Sequence, residues 1–126
     1  MDDFKGYVVT MGKELKNFAS KRNWNIHTTP IVDYVIITDN SNYLIDIKPV
    51  PPDIGTLSFF TTTDSIIRTN KLPIPELENS KPIKLVLISP GTASPSTVKF
   101  AEENNIILCP IKRNKDIDKT LNDCLI

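Results

Sequence analysis

The sequence lacks a long hydrophobic run, an excess of charge of one sign, and any cluster of cysteine or histidine. No apolar segment approaches the ~18 residues of a membrane-spanning helix. Fifteen Lys and Arg residues balance fifteen Asp and Glu residues, so no overall basic field attracts nucleic acid. The first residues, MDDFKGYVV, carry two acids where a secretory leader carries positive charge. We therefore expect a soluble cytoplasmic protein without a membrane partner, which would contact nucleic acid through local patches.

Cysteine and histidine are too scarce for the usual metal or hydrolase clusters. Cys109 and Cys124 do not have the spacing of zinc ligands, and an isolated pair in an intracellular chain is usually reduced. We therefore expect two packed thiols. His27 is the only histidine, and no nucleophile-elbow pattern accompanies it, which disfavours a Ser/His/Asp hydrolase.

The length of 126 residues, with 40% hydrophobic residues, fits one domain over residues 1–126. Such a chain buries enough surface to fold without a disulfide or a structural metal. Residues 71–82 (KLPIPELENSKP) lack periodicity and indicate a connecting loop.

The first half of the chain predicts a helix and then three strands. Apolar residues from Phe4 to Phe18 recur at steps of three and four, which is typical of an amphipathic helix. Gly6 and Gly12 lower its intrinsic propensity, so the helix should depend on docking. A short strand is predicted at 24–29. Two β-rich segments, 33–38 (DYVIIT) and 43–48 (YLIDIK), flank the turn residues DNSN and predict a β-hairpin.

The next segment, 53–70, predicts a helix with a weak point. Thr61 to Thr63 have poor helix propensity and could split it. We expect Phe59 and Phe60 to lie on its inner face rather than to form a base-stacking platform.

The last third predicts a parallel pair of strands. Residues 84–89 and 105–111 are short apolar runs typical of buried strands. Between them, Ser94 can cap a helix that ends at Asn104 in a left-handed conformation. A closing helix follows Asn114. The order is helix, three strands, helix, strand, helix, strand, helix, which predicts a mixed α/β layer architecture.

The candidate chemistry lies in the predicted hairpin. Asp46 and Lys48 share one face of a strand because strand side chains alternate. Antiparallel pairing would bring Asp33 close to Asp46, and the backbone carbonyl of Ile47 could add a third oxygen. Convergent carboxylates suit Mg²⁺, which takes one or two of them beside a substrate phosphate. The bound ion would activate water for phosphodiester hydrolysis.

The order of elements and the Asp46-Ile47-Lys48 triplet resemble the PD-(D/E)xK, or restriction-endonuclease-like, nucleases. In size and layout the chain is similar to archaeal Holliday-junction resolvases and Mrr-type domains. The resemblance implies a three-layer fold with a mixed central sheet flanked by helices. It implies that Asp33 and Asp46 bind Mg²⁺ or Mn²⁺, that Lys48 is the catalytic lysine, and that Glu14 adds an acid from the first helix.

Basic residues gather at several positions that could touch phosphates. Arg68 and Lys71 follow the candidate strand, and Lys13 and Lys16 lie on the first helix, so we predict nucleic-acid contacts for these four. DNA is the predicted partner. A homodimer would supply the two sites that cutting a duplex requires.

Other interpretations remain open. Asp46 and Lys48 could be a solvated pair on a half-exposed strand, and Asp33 could cap the start of its strand. The domain could then be a catalytically inactive, nuclease-like module for nucleic-acid binding or assembly. A third hypothesis is a small ligand-sensing domain that uses the loop from Pro90 to Ser94 ahead of a helix N-terminus.

Overall fold

A computed structural model describes residues 2–68, 81–112 and 117–125. Within these ranges the order of elements is the predicted one. The helices are α1 (Asp2–Lys21), α2 (Ile54–Arg68), α3 (Pro95–Glu103) and α4 (Ile117–Leu125). The strands are β1 (Asn25–Thr28), β2 (Tyr34–Ile37), β3 (Asn42–Ile47), β4 (Ile83–Ser89) and β5 (Ile106–Pro110). Except for its last two residues, the predicted loop 71–82 lies outside the described residues.

The five strands form one mixed sheet in the order β1-β2-β3-β4-β5. The β1–β2 and β2–β3 pairs are antiparallel, whereas the β3–β4 and β4–β5 pairs are parallel. The predicted hairpin is β2–β3, and α3 is the crossover between β4 and β5. The α/β class is therefore confirmed.

Helices cover both faces of the sheet because the strand side chains alternate between two apolar clusters. On one face, α1 and α4 pack with Met11, Leu15 and Leu121 against residues such as Ile45. On the other face, α2 and α3 pack with Leu57, Phe60 and Ala101 against residues such as Leu44. None of the helices in the described ranges is long and apolar enough to cross a membrane.

Gly12 allows α1 to approach the sheet closely. A Cβ atom at this position would lie 2.5 Å from Tyr34 Oη on β2. Any larger residue would therefore push the tyrosine ring away. Glycine lowers helix propensity, but at position 12 it also provides the space for the ring.

The threonine run does not split α2, contrary to the sequence-based expectation. The hydroxyls of Thr61 and Thr62 donate to the Ser58 carbonyl at 2.8 and 3.0 Å, and the Thr63 hydroxyl donates to the Phe59 carbonyl at 3.1 Å. These donors are satisfied within the helix, so they do not draw the backbone into another conformation.

The start of α3 follows the prediction and its end differs by one residue. Ser94 Oγ accepts a hydrogen bond from the Thr97 N–H at 3.3 Å, and Pro95 occupies the first turn. Asn104 has φ −111°, so the predicted left-handed conformation at this residue is wrong. The left-handed residue is Asn105, with φ 57°, and asparagine tolerates this region.

Cys109 on β5 and Cys124 on α4 form a disulfide, with Cα atoms 6.0 Å apart. The expectation of two free thiols is therefore wrong. The bridge ties α4 to the last strand of the sheet, on the face that α1 covers. Because cytosolic reductants keep most cysteines reduced, the bridge weakens the argument for a cytoplasmic location, which stays a prediction.

Reduction of this disulfide should lower the free energy of unfolding by about 3 kcal/mol, because the bridge closes a loop whose ends are 15 residues apart. Urea unfolding with and without reductant measures the change, and Cys124→Ser should reproduce it. Two reactive thiols in the unfolded, unreduced protein would contradict the assignment.

Candidate metal site

Asp33 and Asp46 meet at the open end of the β2–β3 hairpin. Tyr34 pairs with Ile45 in antiparallel register, so the next positions outward, Asp33 and Asp46, face each other. Alternation places the Asp46 side chain on the same side of β3 as Leu44, which is the side that α2 and α3 cover. The two acids are therefore neighbours at the hairpin end, and their joint role as metal ligands stays a prediction.

Each carboxylate accepts a hydrogen bond from the backbone of the opposite strand. The Asp33 N–H donates to Asp46 Oδ1 at 2.9 Å, and the Ile47 N–H donates to Asp33 Oδ2 at 2.8 Å. The two bonds extend the hairpin past its last backbone pair and fix both side chains. Asp33 thus does cap the start of its strand, which was one of the interpretations left open.

Each carboxylate also keeps one oxygen that accepts no hydrogen bond from the described residues. A carboxylate offers about four lone-pair sites, so a single N–H bond does not saturate it. Mg²⁺ usually takes one or two protein carboxylates and completes its shell with water or phosphate. The donor set of Asp33 and Asp46 therefore fits Mg²⁺ or Mn²⁺.

Ile47 lies between the two charged residues of β3 and is buried. Its N–H is directed at Asp33, and in a strand the N–H and C=O of one residue point to the same side. The Ile47 carbonyl is therefore directed toward the Asp33 side of β3, as a third oxygen ligand requires.

Lys48 lines the same pocket as Asp46. Its backbone N–H donates to the Ile88 carbonyl at 2.8 Å, which ties the residue to β4. The pocket has a volume of about 440 Å³, and its other lining residues are Leu87 of β4 and Gly55, Thr56, Phe59 and Phe60 of α2. Asp46 and Lys48 thus both line a pocket whose other residues are partly apolar.

The groups around the Asp46 carboxylate do not fully offset the cost of burying its negative charge. Its burial raises its pKa above the ordinary value of 3.8, and the charge of Asp33 raises it further. The hydrogen bond from the Asp33 N–H and the charge of Lys48 act in the opposite direction and do not cancel the shift. A divalent cation beside the pair would favour the ionised form.

Three of the predicted residues lie on α1, which packs on the other face of the sheet. Glu14 is half-buried and Lys13 and Lys16 are exposed. Lys16 Nζ lies 5.7 Å from the centroid of the Tyr34 ring. Across the part of the chain that the structure describes, no three His, Cys, Asp or Glu residues form a group that could hold a metal. Glu14 is therefore not grouped with the pair, and its role and those of the lysines stay predictions.

Two further basic residues carry predicted phosphate contacts. Arg68 ends α2, whose first turns line the pocket, but its side chain is not among those described. Lys71 lies outside the described residues. Both contacts stay predictions.

Phe59 is a pocket residue that the sequence analysis missed. Phe60 is buried, as expected, but the Phe59 side chain is 74% exposed, so its expected inner position is wrong. A helix face shows residues three and four apart, and those around Phe59 are Gly55, Thr56, Thr62 and Thr63. This polar surrounding was the signal that the ring points outward.

The loop of the third hypothesis borders a second, smaller pocket of about 210 Å³. Its Ser94 caps α3 by accepting the Thr97 N–H, which satisfies one of the N–H groups that an anion would use. That pocket has no charged residue in its described lining. Another pocket beside the same loop, of about 350 Å³, is lined by Lys112 but by no described acid. The Asp46 pocket is therefore the stronger candidate site.

Comparisons with known protein families, with curated proteins and with solved structures found no match to this chain. The resemblance to restriction-endonuclease-like nucleases therefore stays a prediction.

Asp46→Asn should remove a pH-dependent loss of stability in the metal-free protein. Because the folded pKa of Asp46 is raised, protonation stabilises the fold below 3.8, and this contribution is lost as the pH rises through the folded value. Asparagine keeps an oxygen for the Asp33 N–H and carries no charge. The free energy of unfolding, measured with urea in EDTA, should therefore fall less between acidic and neutral pH in the variant than in the unmodified protein.

The matched control is Asp53→Asn, which changes an exposed acid ahead of α2. The Thr56 backbone and hydroxyl donate to Asp53 Oδ1 at 2.8 and 3.0 Å and lower its pKa. The ionised Asp53 therefore stabilises the fold above its ordinary pKa, and this stabilisation is lost as the pH falls. The pH dependence is thus opposite in sign to that of Asp46. If the free energy of unfolding falls with rising pH by the same amount in Asp46→Asn as in the unmodified protein, Asp46 is not the group responsible.

Proposed function

We propose that this protein is a nuclease that uses Mg²⁺ or Mn²⁺ to hydrolyse phosphodiester bonds in DNA. The observation that carries the proposal is the pairing of Asp33 with Asp46 across the hairpin end, next to a pocket that holds Lys48. One or two carboxylates are the protein ligands that Mg²⁺ usually takes, and the bound ion can activate water for attack on a phosphate.

Each group has a distinct part in this proposal. A bound cation would polarise the phosphoryl oxygen and lower the pKa of a coordinated water. Asp33 and Asp46 hold the cation, and their bonds to the backbone keep both carboxylates in place before it arrives. Lys48 orients the attacking water or balances the negative charge that develops on the phosphate.

The arrangement is also what the resemblance to restriction-endonuclease-like nucleases implies. In that family the core runs helix, three antiparallel strands, helix, strand, and this chain has the same order through β4. The first acid precedes the second strand and the D-x-K triplet ends the third. The agreement supports the proposal.

Binding to DNA would depend on local charge, since the net charge is zero. Lys48 is one phosphate-binding group in the pocket. Lys13, Lys16, Arg68 and Lys71 are the further contacts that we propose. A homodimer would place a second pocket on the opposite strand of a duplex.

A specific observation also favours a second function, that of an inactive nucleic-acid-binding or assembly module. Both acids already hold backbone N–H groups, and within the described ranges no third acid joins them. The same two residues could therefore have only a structural role at the hairpin end. Salt-sensitive DNA binding without cleavage in Mg²⁺ or Mn²⁺ would favour this module.

Asp46→Asn and Lys48→Met should each lower the rate of DNA cleavage by about 10²- to 10³-fold, because each removes a charge that stabilises the transition state. Cleavage of labelled DNA in Mg²⁺ measures the loss. Asp53→Asn is the matched control, since it removes a nearby carboxylate that does not line the pocket, and it should cleave like the unmodified protein.

The pattern of losses decides between the two functions. Cleavage that persists in both pocket variants would contradict the proposed site. A protein that binds DNA but does not cleave it, with or without the substitutions, would support the inactive module instead.

A further inference from the structure

Phe59 is the most exposed of the large hydrophobic residues in the described ranges. Its side chain is 74% exposed, whereas the next, Val9 on α1, is 48% exposed. The Phe59 ring lines the pocket that contains Asp46 and Lys48. Single exposed apolar residues are common on protein surfaces, so the exposure alone does not indicate a site. An exposed ring in the wall of a pocket that is also lined by an acid and a lysine does point to a ligand that covers it.

Gly55 leaves space on the helix face that Phe59 occupies. Gly55 lies one turn earlier on the same helix face, and only Asp53 Oδ1, at 3.4 Å, approaches the place where its Cβ would lie. The absence of a side chain there leaves room beside the ring for a flat group. Thr56, Thr62 and Thr63 complete the surroundings, and their hydroxyls already donate within the chain.

These neighbours also argue against a second copy of the chain as the occupant. The core of a stable protein interface is apolar and continuous. Here a single ring stands among one glycine and three threonines, which leaves too little apolar surface for such a core. A flat, π-bearing ligand with a negatively charged group suits the ring and Lys48 together.

We infer that Phe59 stacks on an unpaired nucleobase while Asp46 and Lys48 act on the neighbouring phosphate. The substrate class would then be single-stranded DNA, or duplex DNA with unpaired nucleotides. Fully paired bases are stacked on each other and do not present a free face. This inference rests on the proposed function, which supplies the phosphate beside the base.

The test measures binding without turnover, in EDTA at low salt. The probes are a fluorescein-labelled oligothymidylate, a blunt duplex of the same length, and a single strand containing 2-aminopurine, whose fluorescence falls when the base stacks on a ring. Phe59→Ala should weaken binding of the single strand by about tenfold, change duplex binding much less, and abolish the quenching.

Three further variants separate stacking from other effects. Phe59→Trp should keep affinity and quenching because it keeps a ring, whereas Phe59→Leu should behave like Phe59→Ala because it keeps only apolar volume. Val9→Ala, an exposed apolar residue on the other face of the sheet, should bind like the unmodified protein. Because Phe59 is exposed, its replacement should leave the fold intact, and circular dichroism verifies this.

Several results would overturn the inference. They are single-strand affinity within twofold of the unmodified protein in Phe59→Ala, equal losses for single strand and duplex, or no binding of any probe. A change from dimer to monomer in Phe59→Ala, measured by light scattering, would assign the ring to a second copy instead. Failure of the nuclease proposal would appear separately, as absent cleavage with the Phe59-dependent binding intact.

Discussion

The candidate site depends on two hydrogen bonds that join side chains to backbone at the end of one hairpin. The bond from the Asp33 N–H to Asp46 and the bond from the Ile47 N–H to Asp33 hold two negative charges close together. Bonds to ionised acceptors are stronger than neutral ones, so they offset part of the repulsion. The repulsion that remains disfavours the charged form of Asp46, which is partly buried and has a raised pKa. A divalent cation would remove it.

Neighbouring elements of the fold form a pocket beside this pair. The parallel neighbour β4 ties Lys48 in place and contributes Leu87, and the early turns of α2 form the opposite wall. On the α2 side this end of the sheet borders the pocket, and on the other side Ile45 and Ile47 are buried in the core to which α1 contributes. The pocket therefore has charged residues at one end, Asp46 and Lys48, and an aromatic wall at Phe59.

Local patterns in the sequence predict most of the architecture and the centre of the site. Alternation along β3 and the turn DNSN are sufficient to place Asp33 opposite Asp46, because a hairpin register is set by its turn and its apolar face. The periodicity of α1 predicts a helix but not which face of the sheet it covers, which is why Glu14 could not be placed. Pairing of Cys109 with Cys124 depends on how α4 docks, a long-range contact. The apolar character of Phe59 alone predicts a buried position, whereas its polar neighbours three and four positions along the helix indicate the exposed position that the structure shows.

Crystals of the protein soaked in Mn²⁺ test the central claim most directly, since anomalous scattering locates the ion. The account predicts one ion bound by an oxygen from each of Asp33 and Asp46, at about 2.1 Å. The backbone bonds to the other two carboxylate oxygens should persist. A saturated crystal with no ion between these residues, or with an ion bound elsewhere, would contradict it.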